Sequence, residues 1–316
     1  MHQSVADAFF PFTIPLEGRV NFMYLDVKSL VSTGIGNLLD ADSSEHFGTN
    51  PTPLPDIFTL NWTNVSTGAL ASNPEISAEY TRVKFSGTSH ATLAQKEAIT
   101  TLRITDADID NLVRNKLASF EATLQGRPEF SNLQNWPADA QLGLFSMAWA
   151  LGPLFRFPRF QAAAASEDWF TCAAESHMDE TGNPGIIPRN VRNGLLFTLA
   201  GWMAAPPPGT FSALVYDPNI SLAENMRSGN FPIPLTLDIG LQTALERLAF
   251  ELNNPGYDPR GIDGGIGPNT RTALTTFQSD FGLPQTPGAK HVGDVGTATI
   301  DAIAAQFDSI GISYLR

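Results

Sequence analysis

The chain has 316 residues, 42% of them apolar, which is enough to bury the cores of two domains. Its formal net charge of −13 at pH 7 argues against nucleic acid and anionic membrane partners, because both attract basic patches. The sequence lacks an apolar run of about 18 residues and a recognisable signal peptide. We therefore expect synthesis in the cytoplasm, without a signal peptide, and delivery by another route.

The first informative segment begins at Glu17. Asp26 follows nine residues later and Ser32 six residues after that, ahead of Gly34 and Gly36 in a Thr-Gly-Ile-Gly sequence. Paired carboxyl groups suit cleavage of a glycosidic bond, in which one protonates the leaving oxygen and the other acts as a base or stabilises charge. The two glycines suit a tight hairpin or a close backbone approach.

This segment resembles the catalytic signature of the phage lysozymes, glycoside hydrolase family 24. Tyr24 and Asp26 fix the register, so that Ser32 takes the position where the family normally has threonine. The resemblance implies Glu17 as the general acid, Asp26 as the base or charge stabiliser, and Ser32 as the hydroxyl that places the attacking water. It also implies Tyr24 and Gly36 as contacts to the substrate.

Two features depart from that family. Pro11 and Pro15 are predicted to interrupt the helix that normally leads to the catalytic glutamate, because an interior proline removes an N–H donor. The segment 40–98 is rich in Pro, Ser, Thr and Asn, contains Trp62 and Tyr80, and is longer than its family counterpart. We expect it to form an insertion on the rim of the cleft.

Apolar periodicity next predicts four helices, at about 105–124, 137–151, 167–178 and 188–203. Thr105 and Asp108 are spaced as a capping box for the first. The second is apolar on nearly all sides, which is typical of a buried helix. The order of elements predicts a mostly helical α+β protein whose lysozyme-like lobe contains a small β-hairpin active-site segment.

Arg189 and Arg192 belong to the last of these helices, which weakly resembles a late arginine-containing helix of the same family. Their guanidinium groups would suit the carboxylates of peptidoglycan, although a surface salt bridge explains each arginine equally well. Cys172 is the only cysteine and is predicted to be a core thiol. The five histidines have no metal-ligand spacing, so we expect neither a metal nor a cofactor.

The last quarter of the chain predicts three short helices that share one core. Their apolar faces consist of Leu237, Leu241, Leu245, Leu248 and Leu252, then Ala273, Phe277 and Phe281, then Ile300, Ile303, Ala304 and Phe307. Pro268 suits a first helical position and Gly282 a helix stop. With the Ile-Asp-Gly-Gly-Ile-Gly-Pro sequence at 262–268, this pattern resembles a type 1 peptidoglycan-binding module, which implies wall contacts by Tyr257, Asp263 and Gln278.

Together these patterns predict a muramidase domain at 1–205, a Pro-rich linker at 206–235 and a peptidoglycan-binding domain at 236–316. We expect a monomer that acts on bacterial peptidoglycan, outside the cytoplasm, by cleaving the bond between N-acetylmuramic acid and N-acetylglucosamine. Two alternatives stay open: a lytic transglycosylase on the same fold, and a wall-binding structural or virion protein without turnover.

Overall fold

A computed structural model describes residues 1–40, 53–181, 183–203, 211–222, 225, 235–262 and 264–312. The chain divides into two compact units, one formed by 13–121 and the other by 1–12 together with 122–316. The predicted domain boundaries at 205 and 236 remain predictions. Within the described residues, no helix has both the length and the apolarity needed to cross a membrane.

A mostly helical α+β fold with small antiparallel sheets is confirmed. The elements up to residue 125 are α1 (Gln3–Glu17), β1 (Val20–Leu25), β2 (Val31–Gly34), β3 (Asn37–Leu38), β4 (Thr63–Asn64), α2 (Asn73–Lys84), α3 (Leu93–Ala98), β5 (Leu102–Arg103) and α4 (Asp106–Gln125). Strands β1, β2 and β3 form one antiparallel sheet in that order, and β4 pairs with β5. The sheet therefore follows directly on the C-terminal end of α1.

The predicted interruption of α1 is wrong, because the helix is continuous through Pro11 and Pro15. Its inward face carries Phe9 and Phe12, both fully buried. Burial of these two aromatic side chains stabilises by roughly 1.5–3 kcal/mol each, which is comparable to the local penalty of the two prolines, about 3 kcal/mol each, and so offsets most of it. The helix consequently carries Glu17 at its last position.

The described part of the predicted rim insertion packs into the unit formed by 13–121. Trp62 is buried and its indole N–H donates to the carbonyl oxygen of Ile57 at 2.9 Å. Tyr80 is also buried and donates its hydroxyl to Asp40, which forms an ion pair with Lys84 at 3.0 Å. Trp62 and Tyr80 are therefore core residues, not parts of an exposed rim.

Helices dominate the chain from α4 to residue 203. After α4 come α5 (Ala138–Leu151), α6 (Pro158–Ala165), α7 (Trp169–Glu175) and α8 (Ile187–Met203). These agree with the four predicted segments to within a few residues, apart from the separate α6. At the start of α4, the Thr105 N–H donates to Asp108 and the Asp108 N–H donates to the Thr105 hydroxyl, both at 3.1 Å, which confirms the capping box.

The C-terminal region is a bundle of three helices, as predicted. They are α9 (Asp238–Glu251), α10 (Pro268–Asp280) and α11 (Thr297–Ile310). Leu245, Leu274 and Phe277 lie in their common core and are fully buried. Pro268 begins α10, and Gly282 follows its end with a φ of +63°, a backbone conformation that glycine favours.

Part of the predicted linker is packed against the helices. The Ala138 N–H donates to the carbonyl oxygen of Phe211 at 2.6 Å, and the N–H groups of Val215 and Tyr216 donate to the carboxylate of Asp139 at 3.0 and 2.9 Å. Tyr216 is buried, with its ring centroid 5.7 Å from that of Phe12. This stretch therefore lies on the lobe, whereas 204–210 and 226–234 lie outside the described residues.

Candidate functional site

Glu17 occupies the junction between α1 and the first sheet. It is the last residue of α1 and is half-buried. Gly18 follows with a φ of +77° and its N–H donates to the carbonyl oxygen of Ile14 at 2.8 Å. A glycine in the left-handed region ends a helix at low cost. The backbone position of Glu17 is therefore set by a helix end and a tight turn.

Asp26 lies in the turn between β1 and β2. Its Oδ1 accepts hydrogen bonds from the N–H groups of Lys28 and Leu30, both at 2.8 Å, and its own N–H donates to the carbonyl oxygen of Leu30 at 2.8 Å. Both side-chain bonds end on Oδ1. The turn thereby fixes the orientation of the carboxylate and leaves Oδ2 outside these bonds.

Ser32 lies directly opposite Tyr24 in the antiparallel pair of β1 and β2. Opposed residues project their side chains to the same face, while the next residue along the strand faces the other way. Thr33 is fully buried and donates its hydroxyl to the carbonyl oxygen of Phe22 at 3.1 Å. Ser32, which is 5% exposed, is therefore the hydroxyl on the face of Tyr24.

Tyr24 connects the two carboxyl groups electrostatically. Burial raises the pKa of its phenol, and the negative charges of Glu17 and Asp26 raise that pKa further. Both carboxyl groups therefore act electrostatically on this one phenol, Asp26 from the turn that follows β1 and Glu17 from the end of α1. Tyr24 is thus within electrostatic range of both the helix end and the hairpin turn.

Lys96 is a neighbour of this cluster that sequence reasoning missed. Its ammonium nitrogen lies 5.7 Å from the centroid of the Tyr24 ring and donates to the carbonyl oxygen of Ser89 at 3.1 Å. Burial lowers the pKa of Lys96, while the charge of Asp26 acts to raise it. Lys96 belongs to α3, some 70 residues beyond Asp26, so only the tertiary fold brings the two together.

Gly36 belongs to the hairpin between β2 and β3. Gly34 and Gly36 have φ values of +64° and +67°, which confirms the predicted tight turn. The carbonyl oxygen of Gly36 accepts a hydrogen bond from Lys116 at 3.3 Å.

Beside this hairpin, a cleft of about 660 Å³ is lined by β3, the segment 54–61 and α4, with Asn61, Asp108, Asn111, Asn115 and Lys116 among its polar residues. Glu17, Asp26 and Ser32 do not line it.

The two predicted arginine contacts serve packing. Arg189 is 2% exposed, and its guanidinium donates to the carbonyl oxygen and to the hydroxyl of Ser146 at 3.1 Å each. Arg192 is half-buried, donates to the carbonyl oxygen of Phe12 at 3.1 Å and lies over the Phe12 ring at 5.7 Å. Arg189 ties α8 to α5 and is buried, whereas Arg192 ties α8 to α1 and stays partly exposed, so its contact with a carboxylate remains a prediction.

The predicted wall contacts also lie mostly inside the bundle. Tyr257 is buried, with its hydroxyl 2.8 Å from Asp280, to which it donates. Gln278 is fully buried and bonds Thr286 and Thr299 through its amide group. Both positions are explained by folding of the bundle. Asp263 lies outside the described residues.

Metal-ligating side chains were the other candidates for a site in the described part of the chain. Among the described residues, no group of three or more His, Cys, Asp or Glu side chains could hold a metal ion. The prediction for Cys172 is confirmed, because it is fully buried and burial raises the pKa of its thiol to about 12.

Comparison with known families identifies the C-terminal bundle. Residues 241–303 match the family model described as "Putative peptidoglycan binding domain". The predicted resemblance of this segment is thereby confirmed, and the bundle binds peptidoglycan. No lysozyme family model matches the N-terminal part of the chain. No curated protein matches the chain.

Proposed function

We propose that the chain is a peptidoglycan hydrolase that cleaves the bond between N-acetylmuramic acid and N-acetylglucosamine. The observation that carries the proposal is the placement of Glu17 at the end of α1 and of Asp26 and Ser32 in the adjoining hairpin, where Ser32 lies opposite Tyr24. One carboxyl group comes from a helix end and the other from a hairpin turn, so backbone structure places both residues. Two carboxyl groups held in this way are the usual machinery for glycoside hydrolysis.

In this proposal the three residues have separate roles. Glu17 donates its proton to the glycosidic oxygen as the bond to the sugar breaks. Asp26 accepts a proton from the attacking water or stabilises the positive charge that develops on the ring. Ser32 shares the face of Tyr24 and places the water. The water oxygen becomes the hydroxyl of a reducing-end sugar, and the proton balance is restored through solvent.

In this proposal the C-terminal bundle brings the catalytic lobe to its substrate. Because it binds peptidoglycan and belongs to the same chain, it keeps the catalytic lobe at a high effective concentration near glycan strands. The substrate is then an insoluble polymer, not a free sugar. The place of action that we propose is accordingly the bacterial cell wall.

A wall-binding protein without turnover is the second candidate. The low exposure of Ser32, at 5%, favours it, because a hydroxyl that places water has to reach the water. In that case Glu17, Asp26 and Tyr24 would form a polar cluster that stabilises the hairpin and nothing more. The two candidates differ in whether glycan bonds are broken.

The test compares the intact chain with Glu17→Gln and with the matched control Glu97→Gln. Glu97 lies in the same unit, is about half exposed and forms only a surface ion pair with Arg103. We expect Glu17→Gln to lower the release of soluble fragments from purified peptidoglycan by about 10²-fold or more, as loss of a general acid does. The control should release fragments at the normal rate, and all three chains should bind the polymer equally. Equal release by both variants would contradict the proposal.

A further inference from the structure

The outer face of α9 carries a groove of about 660 Å³. It is lined by Glu246, Arg247, Ala249, Phe250, Asn253, Pro255 and Asp258. Phe250 is 76% exposed, whereas Leu245 and Leu248 of the same helix are fully buried. The helix therefore presents an aromatic ring to solvent on the face opposite its own core residues.

Local structure fixes the polar groups around this ring. The guanidinium of Arg247 is 2.6 Å from the carboxylate of Glu251, one helical turn away. Asn253 has a φ of +49°, and Oδ1 of Asp258 accepts a hydrogen bond from the N–H of Arg260 at 2.7 Å. The side chains of Arg247 and Asp258 are therefore partly ordered before a ligand arrives, which lowers the entropic cost of binding.

The groove matches the chemistry of a sugar chain that carries peptides. An aromatic face packs against the C–H face of a sugar ring, while neighbouring polar groups bond its hydroxyl and N-acetyl groups. An arginine pairs well with the carboxylates of a peptide. Tyr257 and Gln278, in contrast, bond within the bundle and expose almost nothing.

We propose that the groove around Phe250 is the surface through which the bundle binds peptidoglycan. Phe250 stacks on a sugar ring, Arg247 bonds a carboxylate of the peptide, and Asn253 and Asp258 bond polar groups at the rim. This inference rests on the peptidoglycan binding shown by the family match and is independent of the proposed hydrolysis.

The test is cosedimentation of the full-length chain with purified insoluble peptidoglycan. Every chain carries Glu17→Gln, so that the polymer is not consumed. Phe250→Ala should weaken binding by roughly tenfold or more, as truncation of a central aromatic contact does. Phe250→Trp should restore it, and Arg247→Gln should weaken binding and lessen its dependence on salt. Phe85→Ala is the matched control, since Phe85 is 61% exposed and lies in α2's C-terminal cap, outside the bundle.

Unchanged binding by Phe250→Ala, in a chain whose thermal unfolding is normal, would overturn the inference. So would an equal loss in Phe85→Ala. If Phe250→Ala bound normally but changed the oligomeric state in sedimentation, the groove would belong to self-association instead. Failure of every chain to bind would remove the premise, whatever the outcome for hydrolysis.

Discussion

The β1–β2 pair separates two adjacent hydroxyl groups. Ser32 faces the side of Tyr24, while Thr33 is fully buried and bonds the Phe22 carbonyl oxygen. A shift of one residue in strand register would exchange these faces. The register of the hairpin therefore places the Ser32 hydroxyl on the face of Tyr24 and the Thr33 hydroxyl in the core.

Ser32→Ala and Thr33→Val should accordingly have different effects. We expect Ser32→Ala to slow hydrolysis by about tenfold or more with little change in the free energy of unfolding. Thr33→Val should lose a buried hydrogen bond, lowering the free energy of unfolding by about 1–2 kcal/mol while the folded protein keeps its activity. Denaturant titration and fragment release on both variants check this. The assignment fails if Thr33→Val is the inactive variant and Ser32→Ala is the active one.

Asp139 should make stability depend on pH. Burial raises its pKa to about 7, although the N–H groups of Val215 and Tyr216 act to lower it. The folded-state pKa of Asp139 exceeds that of the unfolded chain. The contribution of Asp139 to the free energy of unfolding is therefore fully present below about pH 4 and is lost as pH rises through 7. Across that window, the contribution of Asp139 to the free energy of unfolding should fall by a few kcal/mol, roughly 4 at most.

Asp139→Asn isolates this effect from other titrations. The variant cannot ionise, and its amide can accept only one of the two N–H donors through its oxygen, so it should be less stable at low pH. The difference in free energy of unfolding between wild type and Asp139→Asn should shrink as pH rises from 4 to 8. A difference that is constant across this range would show that Asp139 does not titrate there.

At the scale of elements, local signals predicted most helices. The capping box at Thr105 places the start of α4, and Pro268 and Gly282 bound α10. For α1 the local rule failed, because burying Phe9 and Phe12 offsets a penalty of similar size from the two prolines. Sequence signals that act within a few residues are reliable when tertiary packing does not oppose them.

The variant Pro15→Ala measures how much an interior proline lowers the free energy of unfolding in α1. Pro15 is exposed, so its replacement removes little packing, and the new N–H can donate to the carbonyl oxygen of Pro11. We expect the free energy of unfolding to rise by about 1–3 kcal/mol, the gain being reduced because proline also restricts the unfolded chain. A decrease, measured by denaturant titration, would mean that α1 depends on the proline.

The contrast between local sequence signals and tertiary packing also explains which candidate site residues could be identified from the sequence. The candidates Glu17, Asp26 and Ser32 come from spacing over 16 residues, within a helix end and one hairpin, and their catalytic roles remain predictions. Gln278 lies four residues after Leu274 in α10, so its helical position already indicated burial rather than binding. Lys96 could not be found, because its approach to Tyr24 depends on the packing of α3.

At the scale of the molecule, the bundle lies against the helical lobe of its own unit. A Cβ atom added at Gly264 would come within 2.7 Å of Cγ2 of Val191 in α8, and Gly264 has a φ of +81°. A side chain there would therefore meet both a steric and a conformational penalty. The parts that the predicted linker joins are therefore also in direct contact, at Gly264 and Val191.

Gly264→Ala tests that contact, with Gly282→Ala as its control. Gly282 also has a positive φ, of +63°, but a Cβ there would meet nothing within 4 Å. Both variants should lose about 1 kcal/mol through the backbone, and Gly264→Ala should lose roughly 1–2 kcal/mol more through the clash with Val191. Equal losses in denaturant titration would mean that the loop at Gly264 does not rest on α8.

The measurement that tests the central claim most directly is the mass of the fragments released from purified peptidoglycan by the intact chain. Hydrolysis adds one water to each bond broken, so we expect fragments with reducing N-acetylmuramic acid ends that are absent from digests by Glu17→Gln. Anhydro-sugar ends would contradict hydrolysis and identify a lytic transglycosylase. No fragments at all, with the polymer still bound, would contradict any catalytic role and leave wall binding as the function.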